Sequence, residues 1–304
     1  MQNRNLLGVV FLAAGVFIFS LQDAILKLIS LTGDYPVTEA VAIRSVIAIP
    51  ILLVFASLET GLRSLVSPRA GWLALRALVL FISYTTYYVA FPALPLADAV
   101  ALYFTVPLFV TVLAGPFLGE KVGLTAWIAV VVGFIGVVIM LRPGAGVFEP
   151  AALLSLASAL MYGISMLMTR KLGVAESASV MSLYQNSVVL TGALAITGMA
   201  EVTGVHSGGH PSIDFLLRPW EMPSLPHFLL MAACGVIAAT GMYCLSQAYR
   251  VARASLVTAF EYTGMFWVPF WGFLFFGEVP RLSTLVGAGL IAGAGLVALR
   301  ASRS

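Results

Sequence analysis

Gly119-Glu120, followed by an apolar stretch that closes on Leu141-Arg142, returns later in the chain as Gly277-Glu278 and a stretch that closes on Leu299-Arg300. Glu and Arg stand 22 residues apart in both copies (142 − 120 and 300 − 278), and the copies are offset by 158 residues in a chain of 304. A chain that repeats itself at about half its length and is almost wholly apolar reads as two copies of a membrane module. Such repeats place a binding site between them.

Composition agrees with that reading. Hydrophobic residues make up 61% and charged residues 10%, against about 45–50% and about 25% in an average soluble chain. At about 20 apolar residues per crossing there is room for some ten spans and little soluble domain. The net charge of +3 says less than the distribution of Lys and Arg among the loops, and nucleic acid is not expected as a partner. Cys234 and Cys244 fall ten residues apart in one apolar segment, about 15 Å along a helix, which is too far for a disulfide. They read as small buried apolar residues with no redox role. The first apolar run, Leu6 to Leu31, is too long for a signal-peptide core and lacks a small-x-small cleavage site, so it is expected to remain as a span.

Apolar runs of membrane length fall at 6–31, 37–58, 71–91, 95–117, 123–141, 150–171, 178–199, 226–249, 254–276 and 280–300. Turn chemistry separates them, as at Thr32-Gly33-Asp34-Tyr35-Pro36, Pro92 and Pro95, Arg142-Pro143-Gly144 and Gly277-Glu278-Val279-Pro280. With the N-terminus in the cytoplasm, Arg4, Arg63, Arg69, Lys121, Arg170, Lys171, Arg250, Arg253, Arg300 and Arg303 lie inside, and only Arg142, Arg218 and Arg281 outside. That asymmetry puts both termini in the cytoplasm. The expected fold is an all-α polytopic membrane protein of ten transmembrane helices, with one five-helix repeat over residues 1–145 and a second over 146–304. Because five is odd, the second copy is inverted in the membrane. Lys27-Leu28 and Lys171-Leu172 form a weaker match between the first helices of the two halves.

Five plus five helices with a Gly-Glu turn before the last helix of each half resemble the drug/metabolite transporter superfamily, specifically its EamA-type ten-helix exporters. Gln22-Asp23-Ala24, the Arg44 helix and the tyrosine-rich third helix look like the YddG-type amino-acid exporters within that group. The resemblance covers nearly the whole chain. It implies a basket-shaped carrier of the bacterial inner membrane that moves amino acids, aromatic or of broader range, out of the cytoplasm. One departure is visible: Pro107 aligns at the 158-residue offset with Met265, and the second half has Pro269 instead, so the halves need not kink at equivalent depths.

An ionisable group inside a span needs a partner, a cavity or a route to the interface. Asp23 and Lys27, four apart on one helix, either neutralise each other or take part in coupling or gating. Arg44 either faces a substrate or braces the second helix. Arg76 suits snorkelling to the interface, and Asp98 suits a helix N-terminus. Glu261, about 10 Å of rise into its span, is the candidate for a protonatable or cation-reading group, the alternative being a glutamate near the inner mouth that hydrogen-bonds neighbouring helices. Tyr84, Tyr87 and Tyr88 lie at i, i+3 and i+4 on one face of the third helix. Tyr84, Tyr88, Tyr103, Tyr162, Tyr243 and Tyr262, with the amides of Gln185, Asn186 and Gln247 and with Glu261, make up the expected substrate pocket. A phenol or amide in hydrocarbon needs a hydrogen-bond partner, which a cavity supplies.

A lining of neutral polar and aromatic groups with few fixed charges suits a small zwitterion. A phosphorylated substrate would want clustered Arg or Lys, and none is seen. The alternatives are a multidrug or cationic exporter, or a carrier of a nucleoside or S-adenosylmethionine. Gly115-x-x-x-Gly119 and Gly289-x-x-x-Gly293 read as close-packing faces, so a monomer is the expected functional unit within the bilayer. His206 and His210 stand among Ser207, Gly208 and Gly209, a spacing without the other ligands a metal needs, and their loop reads as mobile. No metal or cofactor is expected. Neither H-E-x-x-H nor G-x-S-x-G occurs, which argues against an enzyme, and no filter-like loop or ring of like charge argues for a channel.

Overall fold

The computed structural model describes residues 2–59, 61, 65–119, 123–141, 149–172, 177–251 and 263–301. Among these there are helices and no strands. The helices are α1 (Gln2–Thr32), α2 (Val37–Glu59), α3 (Ala70–Val89), α4 (Leu96–Tyr103), α5 (Val106–Leu118) and α6 (Leu124–Leu141). They continue as α7 (Ala151–Leu172), α8 (Ala178–Thr203), α9 (Pro211–Leu217), α10 (Leu225–Val251), α11 (Gly264–Phe276) and α12 (Leu282–Ala301). Eight stretches are long and apolar enough to cross a membrane, the fourth being α4 and α5 together, and α11 and α12 supply two shorter apolar helices. Large apolar side chains such as Trp72, Phe266, Phe273 and Leu285 are exposed on the outer faces. Lipid, rather than water, is the solvent that tolerates such a surface.

The fourth span, expected as one helix with a kink at Pro107, is interrupted. Proline at position 107 has no N–H to give to the carbonyl four residues back and its ring crowds that carbonyl. The helix therefore stops at Tyr103, turns through Phe104 and Thr105, and restarts at Val106. In α11 Pro269 sits inside an uninterrupted helix; at the 158-residue offset the counterpart of the Phe104–Thr105 break begins at 262, outside the described residues.

The repeated Gly-Glu turn is a helix stop. Gly119 and Gly277 have φ of 69° and 64°, a left-handed conformation that only glycine adopts cheaply. After α11 the Gly277 N–H reaches the Phe273 carbonyl at 3.0 Å and the Glu278 N–H reaches the Gly272 carbonyl at 3.1 Å. The first is the bond of an αL closure, and together the two satisfy carbonyls a helix end leaves open.

Helices α6 and α12 pack closely. A methyl group added at Gly136 would stand 2.7 Å from the Gly287 carbonyl oxygen, and one at Gly287 would stand 2.6 Å from the Gly136 oxygen. The backbones therefore touch. Gly133 faces Ala294 and Gly136 faces Ile291, so numbering rises along one helix as it falls along the other and the pair is antiparallel. Gly289 and Gly293, expected to pack closely, have open space where a Cβ would stand. Three further pairs are also antiparallel. Gly15 and Phe19 of α1 meet Leu245 and Gly241 of α10, Ser83 and Arg76 of α3 bond Ser158 and Thr169 of α7, and Thr38 and Glu59 of α2 bond Thr197 and Ser179 of α8. The Arg76 bond to Thr169 ties it to a neighbouring helix, where snorkelling alone is expected.

The segment after α8 is built rather than loose. It holds α9, capped by the His210 ring accepting from the Ser212 N–H, and His210 also contacts Glu149 at 3.2 Å. Asp214 accepts from the Gly208 N–H and the Ser207 hydroxyl, and these bonds hold its pKa below the usual carboxylate value. Trp220 and Glu221 bond the start of α2 at Thr38 and Glu39.

Gly136→Leu is expected to force α6 and α12 apart and cost about 1–3 kcal/mol, the usual cost of overpacking a tight contact. Gly289→Ala is expected to stay within about 0.5 kcal/mol of the parent, as open-surface substitutions do. Thermal unfolding of the two variants in detergent measures the difference.

Candidate functional site

A stripe at Val16, Phe19, Ser20 and Asp23 has helical spacing on α1 and faces the Tyr84, Tyr87 and Tyr88 face of α3. The break between α4 and α5 adds Tyr103, Phe104, Val106 and Pro107, and α7 adds Tyr162. Between them lies a cavity of about 210 Å³, which α10 and α11 close with Met242, Leu245, Gly264 and Val268.

Five tyrosines form a continuous aromatic wall. Tyr84 stacks on Tyr88 with ring centroids 6.2 Å apart, Tyr87 meets Tyr103 at 4.7 Å, and Tyr103 meets Tyr162 at 5.5 Å. Their polar ends bind the polar residues of α1: the Tyr87 hydroxyl donates to Asp23 Oδ2 at 3.1 Å, and the Gln22 amide donates to the Tyr88 hydroxyl at 2.9 Å. A zone of ring faces with a polar seam results.

Arg44 enters this cavity from α2, with its guanidinium 5.9 Å from the Tyr84 ring centroid. Its Nε and Nη1 are buried and have no hydrogen-bond partner, and the same holds for Gln22 Oε1. A buried donor without a partner is costly. Two such nitrogens on one cation, beside a carboxylate and five phenols, form a set of unmade bonds that a bound molecule can complete.

The expected pocket is thus partly assembled. Tyr84, Tyr88, Tyr103 and Tyr162 line the cavity, and Asp23 and Arg44, read from sequence as coupling or gating groups, line it with them. Gln185 and Asn186 are buried within α8, where the Asn186 amide donates to the Ser182 carbonyl, and they are not among the lining residues. Neither is Tyr243, which is 38% exposed and packs on Phe55. Glu261 and Tyr262 lie outside the described residues, as does the Gln247 side chain. Asp23 and Lys27 do not neutralise each other: Asp23 bonds Tyr87, while Lys27 pairs with Glu278 across the bundle. Asp98 stands in the first turn of α4, as expected of a carboxylate at a helix N-terminus, but makes no capping bond there and accepts from the Thr284 hydroxyl at 2.5 Å. Sequence reasoning missed Val16, Phe19, Ser20 and Met242 as lining residues. The i, i+3, i+4, i+7 spacing of the first three with Asp23 was the available signal.

A sequence profile of the EamA-like transporter family matches residues 6–142 and again residues 149–300. The chain belongs to the EamA-like transporter family. It is 29% identical over 293 residues to a riboflavin transporter of Vibrio cholerae, covering 95% of this chain and 92% of the relative. A riboflavin transporter of Rhizobium johnstonii is 34% identical over 212 residues, 68% of this chain and 63% of the relative. A pseudopaline exporter of Pseudomonas aeruginosa is 26% identical over 291 residues, 93% of each, and an S-adenosylmethionine uptake transporter of Rickettsia bellii is 26% identical over 81% of this chain and 77% of the relative. One solved crystal structure matches with a TM-score of 0.61 at 18% identity, covering 100% of this chain and 98% of the other, which shows a shared fold. The EamA chain is accordingly a multi-pass membrane transporter.

Gln22→Leu removes the amide donor to the buried Tyr88 hydroxyl and is expected to cost about 1–2 kcal/mol. Tyr243→Phe, at a half-exposed ring, is expected to change little, and thermal midpoints of the two purified proteins check the contrast.

Proposed function

We propose that this EamA-family chain is an alternating-access carrier for small zwitterionic metabolites bearing a ring, with aromatic amino acids as the first candidates and export from the cytoplasm as its direction. The observation that carries this reading is the pairing of opposite charges in one tyrosine-walled cavity. Arg44 offers two buried N–H groups without partners, and Asp23 stands in the same cavity. A substrate carboxylate on Arg44 and an ammonium group near Asp23 satisfy both, while a side-chain ring lies on the tyrosines. At about 210 Å³, the cavity is below the roughly 300–1,000 Å³ of drug-sized ligand sites, which suits a compact solute.

The carrier consists of two inverted five-helix units, residues 1–145 and 146–304, acting as a monomer in the bacterial inner membrane with both termini cytoplasmic. The α6–α12 seam supports this arrangement. Shifting by 158 residues turns the Gly133–Ala294 contact into Ile291–Gly136, and that contact is also made. Equivalent helices that pack antiparallel through exchanged contacts are what a two-fold axis in the membrane plane produces; an axis along the normal would make them parallel. Substituting one half for the other likewise turns the α1–α10 pairing into α7–α3.

A second reading, a flavin carrier, is favoured by two relatives named riboflavin transporters at 29% and 34% identity. Ring carbonyls of a flavin would accept from Arg44 and its plane would stack on the tyrosines. The printed substrates of the relatives differ among themselves, and fold alone does not choose between them.

Counterflow in proteoliposomes preloaded in turn with tryptophan, tryptophanamide, riboflavin, a nucleoside and a cationic dye separates these readings. Tryptophan is expected to exchange and its amide poorly, and Arg44→Gln is expected to lower the apparent affinity for tryptophan about 10- to 100-fold, the worth of a buried charged hydrogen bond. Exchange of riboflavin without tryptophan would replace the amino-acid reading by the flavin one, and exchange of the dye alone would make the chain a multidrug exporter. Proton coupling through Asp23 or Glu261 is the expected energy source, and flux unaffected by an imposed pH gradient counts against it.

A further inference from the structure

Beyond the cavity, one helical turn along α1 from Asp23, lies a second polar cluster that the binding site does not use. Lys27 is buried, its Nζ donates to the Leu94 carbonyl at 2.6 Å, and it forms a salt bridge with Glu278. The other carboxylate oxygen of Glu278 accepts from the Leu96 N–H at 2.8 Å, at the first residue of α4. The Phe276 ring lies 5.6 Å from the Lys27 ammonium, and Asp98 on α4 binds Thr284 on α12. Five groups thus join α1 and α4, from the N-terminal spans, to the end of α11 and the start of α12, from the C-terminal spans.

The place of this cluster gives it a consequence. Cavity residues on α1 run from Val16 to Asp23, and Lys27 stands about 6 Å of rise beyond the last of them. Phe91, packed on the cavity-lining Tyr87 and Tyr88 rings, and Leu96, whose N–H bonds Glu278, are both fully buried. That end of the cavity is therefore shut, and the groups that hold it shut are charged and polar. Aliphatic packing between helices can slide. An ion pair whose two members also bind fixed backbone groups has a made and an unmade state, which is what a two-state closure needs.

We propose that Lys27 and Glu278 form the gate at the α1 C-terminal end of the cavity, an inter-half ion lock that is made while the cavity is shut on that side and broken when it opens there. The backbone sets the polarity of the lock: a carbonyl waits at position 27 and an N–H at position 278. Lysine and glutamate are therefore not interchangeable in it, and the doubly reversed Lys27→Glu/Glu278→Lys protein is not expected to recover. Asp23 and Lys27 share one helix, so a substrate that shifts α1 at Asp23 shifts the lock with it. The gate does not depend on which metabolite the cavity accepts.

The test reads accessibility, which needs no substrate. Cys234 and Cys244 are first replaced by alanine, and Val100→Cys places a reporter thiol on the cavity wall. In right-side-out and inverted membrane vesicles a membrane-impermeant maleimide then modifies the reporter from either side. Glu278→Gln keeps an acceptor for Leu96 but removes the charge facing Lys27. It is expected to raise modification from the lock side at least tenfold and to lower it from the other. Glu120→Gln, the same change at the equivalent repeat position, is the control and is expected not to raise modification from the lock side. Unchanged reporter kinetics in a Glu278→Gln protein that elutes as a folded species, or an equal rise in the control, overturns the proposal. A second measurement stands if that variant does not fold. Lys27→Cys/Glu278→Cys bridged by a short bis-methanethiosulfonate is expected to stop counterflow of whichever solute the parent exchanges, and reductant is expected to restore it. Full flux in the bridged protein equally overturns the gate, whereas a parent that exchanges none of the solutes while the reporter responds as expected removes only the substrate reading.

Discussion

Hydrocarbon offers a polar atom no partner, and this constraint organises the molecule. Backbone groups are satisfied within helices, and side chains that cannot reach water must bond one another. Ser83 meets Ser158, Trp271 meets Ser20, Arg76 meets Thr169, and Lys27 meets Glu278. Against that background unmade bonds are informative. Among cavity-lining residues, the buried atoms without partners belong to Gln22 and Arg44, so the lining itself marks where a solute supplies what the protein leaves open.

Small backbone features put those residues in place. Glycines at 133, 136 and 287 bring α6 and α12 into backbone contact and fix a tight seam on one side of the bundle. Pro107 breaks the fourth span and turns Tyr103 and Phe104 toward the Tyr84–Tyr88 face. The Gly277 turn closes α11 and delivers Glu278 to the N-terminus of α4, where its charge is balanced by Lys27 and the Leu96 N–H. Each acts through geometry that few other residues permit: no Cβ, no N–H, or a left-handed φ.

Much of the architecture was legible in the chain because membrane spans announce themselves by length and apolarity. The ends of most predicted runs fall near the observed helices, and the family profile matches the chain twice, over residues 6–142 and 149–300. The third-helix tyrosines were legible too, since residues at i, i+3 and i+4 share a face whatever lies opposite. Charge pairing was not. Asp23 and Lys27 are ideally spaced to neutralise each other, yet Tyr87 and Glu278, 64 and 251 residues away in sequence, hold them instead. Gln185 and Asn186 have the chemistry of a pocket but are buried away from the cavity, Asn186 bonding the Ser182 carbonyl of its own helix, because a helix position fixes a direction and only packing decides what lies there.

By itself the sequence determined that the chain is a multi-pass helical membrane protein, because the hydrophobic effect and backbone hydrogen bonding act locally along each span. Tertiary structure alone decided which polar residues meet. It set Arg44 and Asp23 in one cavity, withdrew Tyr243 and the α8 amides from it, and joined Lys27 to Glu278, because pairing in a low-dielectric interior depends on distances between helices that no local pattern encodes.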